Sequence, residues 1–386
     1  MKKKNIYILV NKYPNYIEPN VCVFIQSLVW SFADLNYNCN VICPMPINLN
    51  LKYIKFPKER FEENENGIKI KIYHPKYISL GQSGNLFQKL RVKFTTKMYT
   101  KAVDKVLKKQ KLSKDNDILY SHFICPSGVS AAILGRKYNL DSFMAHGEAF
   151  YGGNTKYGNN YLKQVFKYLT GAIAVSTQNK NYLINADVLE ENKIGIFPNG
   201  FRKERFHKID KKIARKHFGW DMDKFIVGFC GSFDERKGIN RLDQAIDEIK
   251  DNNIVFACAG KGKIQPKSEK CIFNKPVNNN DLVYFYNAID VFALPTLNEG
   301  CCNAIVEAMA CGCPIVSSDK SFNYDILDNT NSIMIDPKSV NELKNSIIKL
   351  KNDNILLNKL SEGSLKKSKQ LDLNTRAKNI LDFMNR

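Results

Sequence analysis

Short apolar segments, each followed by a longer stretch of helical periodicity, punctuate the whole chain. The first half carries "NIYILV", "NCNVICP", "IKIYH", "DILYSHF", "SFMAHG", "GAIAVS" and "KIGIFPNG"; the second carries "FIVGFCG", "IVFACAG", "VFALPT" and "PIVSSD". Strands that are apolar along their whole length are buried on both faces, which requires parallel sheets covered by crossover helices. This predicts an α/β protein of Rossmann-like, doubly wound domains. With 386 residues and roughly 150 per domain, two domains are expected. Pro198 and Gly200 break the chain in "FPNGFRKERF", where a polar, basic segment follows a strand. The expected division is residues 1–196, residues 197–365, and a C-terminal helix over 366–386 that returns to the first domain with Ile380, Leu381 and Met384 on its apolar face.

Composition narrows the class further. No stretch reaches the roughly 18 to 20 apolar residues of a membrane span. Three lysines precede "IYILV", but that run is shorter than a signal-peptide core and no small-residue cleavage site follows, so it reads as a first buried strand. The 11 cysteines are odd in number, scattered and set mostly in apolar runs, which suits free thiols in a reducing cytosol. None forms a CxxC, so no metal site is expected. A formal charge of +20 calls for an anionic partner: nucleic acid, a membrane face or a phosphorylated substrate. Its clearest location is "QKLRVKFTTKMYTKAVDKVLKKQK", where Lys93, Lys97, Lys101 and Lys105 recur every four residues beside Phe94, Met98, Ala102 and Val106. On a helix this makes a basic stripe next to an apolar one, either a solvated face with snorkelling lysines or a membrane-surface contact.

The stretch "NEGCCNAIVEAMACGCPIV" holds the most informative chemistry. "DVFALPTLNEG" reads as a buried strand running into a loop, which places Glu299 at a strand's carboxyl end, where open α/β sheets bind ligands. Gly300, Cys301, Cys302 and Asn303 form the entrance of a helix that Gly312 ends before Pro314. Free amides and the positive dipole end at such an entrance favour phosphate. Glu307 lies on the same helix. Two carboxylates bordering one anion site would repel a bare phosphate unless each accepts hydrogen bonds from hydroxyls. A sugar nucleotide supplies both phosphates and hydroxyls.

Four segments together give a resemblance that runs almost the whole chain. "DILYSHFICPSGVSAAILGRKYNLDSFMAHGEAF", "FPNGFRKERF", "GFCGSFDERKG" and "NEGCCNAIVEAMACGCPIV" appear in the order seen in family 4 glycosyltransferases, which this sequence resembles. The resemblance implies the GT-B fold, with the acceptor on the first domain and the nucleotide sugar on the second. It implies that Lys237 contacts donor phosphate, that Glu307 binds the donor ribose, that Glu299 lies near the donor sugar, and that His146 lies near the transferred sugar. His122 matches a more structural position. The family usually has Arg directly after the first glycine of its phosphate segment; here Ser232 follows Gly231, and Arg236 beside Lys237 is the candidate replacement. After Pro314, where relatives often show Gly-Gly-x-x-Glu, this chain has Ser321, Phe322 and Asp325, which alters the sugar end of the expected pocket.

The implied reaction is retaining transfer of a hexose from a nucleotide sugar, UDP ahead of GDP, to a saccharide or lipid-linked acceptor in bacterial cell-surface polysaccharide or glycolipid synthesis. It implies no cofactor and no obligatory metal; the free thiols suit a cytoplasmic enzyme, and the lysine stripe is either a solvated face or a contact with the inner membrane face. "DMD" at Asp221 to Asp223 precedes a strand instead of following one, which suits a polar turn more than a metal-binding motif. Two other readings remain: a nucleotide-sugar epimerase of the same architecture, and a basic nucleic-acid-binding protein, against which stands the lack of an interleaved aromatic and basic motif.

Overall fold

In the computed structural model, which describes residues 3–81 and 87–386, all eleven apolar runs become strands. The chain divides into unit 1, residues 1–197 with 377–386, and unit 2, residues 198–376.

The strands of unit 1 are β1 (Asn5–Leu9), β2 (Asn38–Ile42), β3 (Met45–Pro46), β4 (Glu59–Glu63), β5 (Lys69–Tyr73), β6 (Lys76–Tyr77), β7 (Asp117–His122), β8 (Asp141–His146), β9 (Gly171–Ala174) and β10 (Ile194–Ile196). The main sheet runs β10-β9-β8-β7-β1-β2-β5-β4, and β3 pairs with β6. Every pairing in the main sheet is parallel except that of β4 with β5. All six residues of β7 are buried, as a central parallel strand requires. β4, "ERFEE", was not expected from the sequence. It is an edge strand with alternate residues exposed, reached through a turn in which Asn64 Oδ1 accepts from the amides of Asn66 and Ile68. Charged residues suit such an edge because they discourage pairing with another chain.

Ala377, Ile380, Leu381 and Met384 of the last helix, Leu373–Met384, are buried, and the Phe383 ring stands 5.9 Å from that of Phe143. This helix begins later than the sequence suggested. Residues 366–368 close the preceding helix, Asn354–Ser368, and a single turn, Lys369–Leu371, separates the two.

Unit 2 holds β11 (Phe225–Phe233), β12 (Ile254–Gly262), β13 (Cys271–Lys275), β14 (Val291–Leu294), β15 (Ile315–Ser318) and β16 (Ser332–Ile335), all parallel in the order β13-β12-β11-β14-β15-β16. β11 and β12 approach so closely that a Cβ on Gly260 would lie 1.9 Å from the Gly231 carbonyl oxygen. The order reverses between β11 and β14, because the chain leaves β13 and returns on the far side of β11. At such a reversal the connections diverge to opposite faces and leave a crevice at the carboxyl ends of the strands.

Buried Arg215 fixes the approach to β11. Its Nη1 donates to the carbonyls of Asp221, Met222 and Lys224 at 2.7 to 3.0 Å, and its Nη2 lies 2.6 Å from Asp290 Oδ2. Asp221 and Asp223 therefore sit in a turn pinned by its backbone oxygens. All 11 cysteines are free thiols, and among the described residues no helix is long and apolar enough to cross a membrane.

Candidate active site

The crevice between β11 and β14 gathers most of the residues singled out in unit 2. Beyond β11 the chain turns back on Asp234, whose Oδ2 accepts from the Ser232 hydroxyl at 2.6 Å and whose Oδ1 accepts from the Lys237 amide at 2.8 Å. This turn delivers Arg236 and Lys237. Beyond β14, Thr296 and the backbone of Asn298 deliver Glu299. Oε1 of Glu299 accepts from the Lys237 ammonium at 2.7 Å, from Thr296 Oγ1 at 3.0 Å and from Arg236 Nη1. Arg236 Nη1 also donates to the Asn298 carbonyl at 2.8 Å.

Arg236 and Lys237 offset the charge of Glu299, and Asp234 in the same turn balances the second cation. The repulsion expected from Glu299 toward a phosphate is therefore cancelled by its own neighbours. Burial works against the Lys237 charge, but Cys302 and Glu299 beside it more than offset this and hold its ammonium above the ordinary lysine range.

The helix Asn303–Ala310 opens next to this cluster. Cys302 precedes it without a side-chain capping bond, and its Sγ lies 3.7 Å from Lys237 Nζ. Burial raises the Cys302 thiol. The turn Gly300–Asn303 is held from behind by Asn199, whose Nδ2 donates to the Cys301 carbonyl at 2.9 Å and to Asn303 Oδ1 at 2.8 Å. Gly312, at φ 79°, ends the helix in the left-handed region where a side chain is disfavoured.

Glu307, on the second turn, accepts from the Tyr286 hydroxyl at 2.9 Å. Burial pushes its carboxyl up to about 7, against the pull of Tyr286 and the Arg205 charge. Of the altered positions after β15, Ser321 is exposed, Phe322 is buried and Asp325 is half-buried. Between them Asn323 is fully buried. Its Nδ2 donates to Ser317 Oγ and the Ser318 carbonyl, and its Oδ1 has no hydrogen-bond partner among the described residues.

His146 and the basic stripe lie in unit 1. His146 ends β8 and is completely buried, with Nδ1 2.6 Å from Glu148 Oε2 and Nε2 3.3 Å from Asn179 Nδ2. Both of these partners are residues of unit 1. His122 is buried at the end of β7, with Nδ1 3.2 Å from the Tyr120 hydroxyl. Lys93, Lys97, Lys101 and Lys105 are exposed on the helix Gln88–Leu107, with Lys93 Nζ 4.7 Å above the Tyr161 ring. The apolar residues beside them divide: Ala102 and Val106 are buried, whereas Phe94 is 40% exposed and the nearby Leu90 and Phe87 are each 65% exposed.

Sequence reading missed Asp234, Asn199, Tyr286 and Asn323 as parts of the site. Asp234 had a local signal, an acid three residues before Lys237 that can accept its amide. Tyr286 had none, being 21 positions from Glu307 on a different helix.

Residues 210–367, inside unit 2, match the family model described as glycosyl transferases group 1. Over 361 residues, 90% of this chain and 89% of the relative, the sequence is 25% identical to a Bacillus subtilis protein assigned by name to teichuronic acid biosynthesis, the glycosyltransferase TuaC. These matches identify the chain as a glycosyltransferase. The transferase is also 25% identical, over 65% of its length and 70% of the relative's, to the Escherichia coli UDP-Gal:alpha-D-GlcNAc-diphosphoundecaprenol alpha-1,3-galactosyltransferase. Its fold is GT-B, shared with sucrose-phosphate synthase from Thermosynechococcus elongatus at a TM-score of 0.76 and 16% identity over 99% of this chain and 98% of that one. Anabaena HepE, solved with UDP, superposes at a TM-score of 0.72 with 15% identity over 99% of both chains.

Proposed function

We propose that this transferase belongs to family 4 and moves a hexose, with retention, from a nucleotide sugar to a saccharide or lipid-linked acceptor in cell-surface polysaccharide or glycolipid synthesis. The observation that carries the reading is the cluster of Arg236, Lys237 and Glu299 at the β11/β14 reversal, beside an uncapped helix entrance. Such an arrangement suits a diphosphate. UDP is favoured over GDP by the names of the relatives: the Escherichia coli enzyme is named for UDP-Gal and a diphosphoundecaprenol-linked acceptor, and HepE was solved with UDP-glucose.

In the proposed reaction the bond between the anomeric carbon and the diphosphate breaks through an oxocarbenium-like state. Lys237 and the amides at the entrance of Asn303–Ala310 stabilise the charge that develops on the leaving diphosphate. The acceptor hydroxyl attacks from the face the diphosphate leaves, forming the new glycosidic bond and passing its proton to a diphosphate oxygen. The products are a glycoside of unchanged anomeric configuration and a nucleoside diphosphate. Glu307 receives the ribose hydroxyls and Glu299 the hydroxyls of the donor sugar, while Lys237 and Arg236 supply charge that an obligatory metal would otherwise provide.

Unit 1 holds the acceptor in this reading, at the inner membrane face. It carries 30 of the 58 Lys and Arg but only 15 of the 38 Asp and Glu, so most of the excess charge is on this unit. Exposed Phe87, Leu90 and Phe94 beside the exposed lysines suit shallow insertion into an anionic leaflet.

Nucleotide release from a panel of UDP- and GDP-sugars, with and without lipid-linked acceptors, tests the reading. Acceptor-dependent release from one donor supports it. Release that needs no acceptor, with recovery of an epimerised sugar nucleotide, sinks it.

A further inference from the structure

Three consecutive strands of unit 1 end in one hydrogen-bonded cluster. After β7, the Ile124 amide donates to Glu148 Oε1 at 2.9 Å. At the end of β8 stand His146, with Nδ1 2.6 Å from Glu148 Oε2, and the Gly147 amide, 3.2 Å from the same oxygen. After β9, Ser176 and Asn179 open the helix Thr177–Asn185.

The orientation of the Asn179 amide is determined by its surroundings. Its nitrogen lies 2.9 Å from the Glu148 carbonyl oxygen, which can only accept, and its Oδ1 receives the Ser176 hydroxyl at 2.8 Å. The same nitrogen faces His146 Nε2 at 3.3 Å. Two donors cannot face each other, so Nε2 accepts and Nδ1 carries the hydrogen given to Glu148. Both ring nitrogens are thus engaged inside unit 1, and the ring has no exposed surface.

Glu148 differs from His146 in the second respect, since its side chain is 26% exposed. Hydrogen bonds from Ile124, Gly147 and His146 fix the carboxylate, with its own amide beside it, while part of the side chain stays exposed.

We propose that Glu148 is the group through which unit 1 grips a sugar hydroxyl of the substrate, and that His146 and Asn179 are positioning residues acting through it. The proposal rests on the transferase reading above. A fixed, partly exposed carboxylate takes a hydroxyl or an ammonium and repels a carboxylate or phosphate. The site therefore selects a sugar that presents a hydroxyl or amino group at this position over one that presents an acid.

Two measurements test the proposal separately from the reading of function. In the full chain labelled with 15N-histidine, which has five histidines, the signal lost in His146→Asn is expected to carry its proton on Nδ1 and a bare Nε2. Any form protonated at Nε2 overturns the proposal, whether or not a sugar is transferred. In transfer assays Glu148→Gln is expected to lower kcat/KM by about 10- to 100-fold, the effect of losing one hydrogen bond to a charged group. His146→Ala should fall comparably, while His146→Asn, whose amide nitrogen can stand where Nδ1 stood, should recover most of the loss. If His146→Asn is as inactive as His146→Ala, or Glu148→Gln matches the wild type, the proposal fails. Absence of transfer by the wild type with every donor would count against the function reading, and the histidine spectrum would still decide the arrangement.

Discussion

Lys237 and Glu299 follow different strands, β11 and β14, and meet with Nζ 2.7 Å from Oε1 at the point where the order of the unit 2 sheet reverses. Neither residue depends on the other for its place. Glu299 retains Arg236 and Thr296 when Lys237 is removed, and the Asp234 turn fixes the Lys237 backbone. Lys237→Ala should therefore lower transfer by about 10²- to 10³-fold, the scale for losing one preorganised donor to a developing anion. The far-ultraviolet circular dichroism and melting midpoint should change little. Steady-state rates beside a melting curve check this, and wild-type turnover in the variant would remove Lys237 from the site.

Glu307 gives the site a pH dependence whose sign follows from its shift. Its carboxyl titrates at about 7 in the folded chain against an ordinary value of 4.5. Between those values the folded state holds a proton that the unfolded state has released. The stabilising linkage is therefore complete below about pH 4.5 and is lost as pH rises through about 7. At one pKa unit per ~1.4 kcal/mol, and discounting for partial exposure, the penalty at pH 8 is about 1 to 3 kcal/mol. Glu307→Gln should gain stability over the wild type between pH 5 and pH 8 while losing donor affinity. Urea titrations at the two pH values check the first part; a gap between variant and wild type that stays constant with pH would contradict it.

Much of the fold was legible because parallel strands buried on both faces must be apolar at every position. "DILYSH" and "IVFACA" could hardly be anything else. β4 was not legible, since an edge strand needs only one covered face and its "ERFEE" reads as polar coil. The positions of Lys237, Glu299 and Glu307 followed from local pattern and resemblance, as residues at strand ends and on one helix. Their partners did not, because a hydrogen bond such as Asn179 to His146 joins residues 33 positions apart through the packing of β8 against β9. The resemblance implied His146 near the transferred sugar; the fold buries its ring beside Asn179 and leaves Glu148 partly exposed.

Removal of divalent ions should leave transfer largely intact if, as proposed, Lys237, Arg236 and the helix amides hold the diphosphate. Activity after EDTA treatment and dialysis measures this. A steep loss restored by manganese would mean that a metal shares the diphosphate.

The lysine stripe should act through surface charge. Each lysine near an anionic leaflet contributes about 1 kcal/mol, so Lys93, Lys97, Lys101 and Lys105 together give binding that moderate salt weakens. Sedimentation with phosphatidylglycerol vesicles should fall sharply when all four become glutamine, and neutral vesicles should bind poorly from the start. Binding that ignores lipid charge, or survives the four substitutions, leaves only a solvated helix face.

The most direct test of the account is titration calorimetry of UDP into the wild-type chain and into Lys237→Ala. One saturable site is expected, weakened by about tenfold or more in the variant because a charge-assisted bond to the diphosphate is lost. If neither UDP nor GDP binds the wild type, or if UDP binds both proteins equally, the β11/β14 crevice does not hold the donor diphosphate.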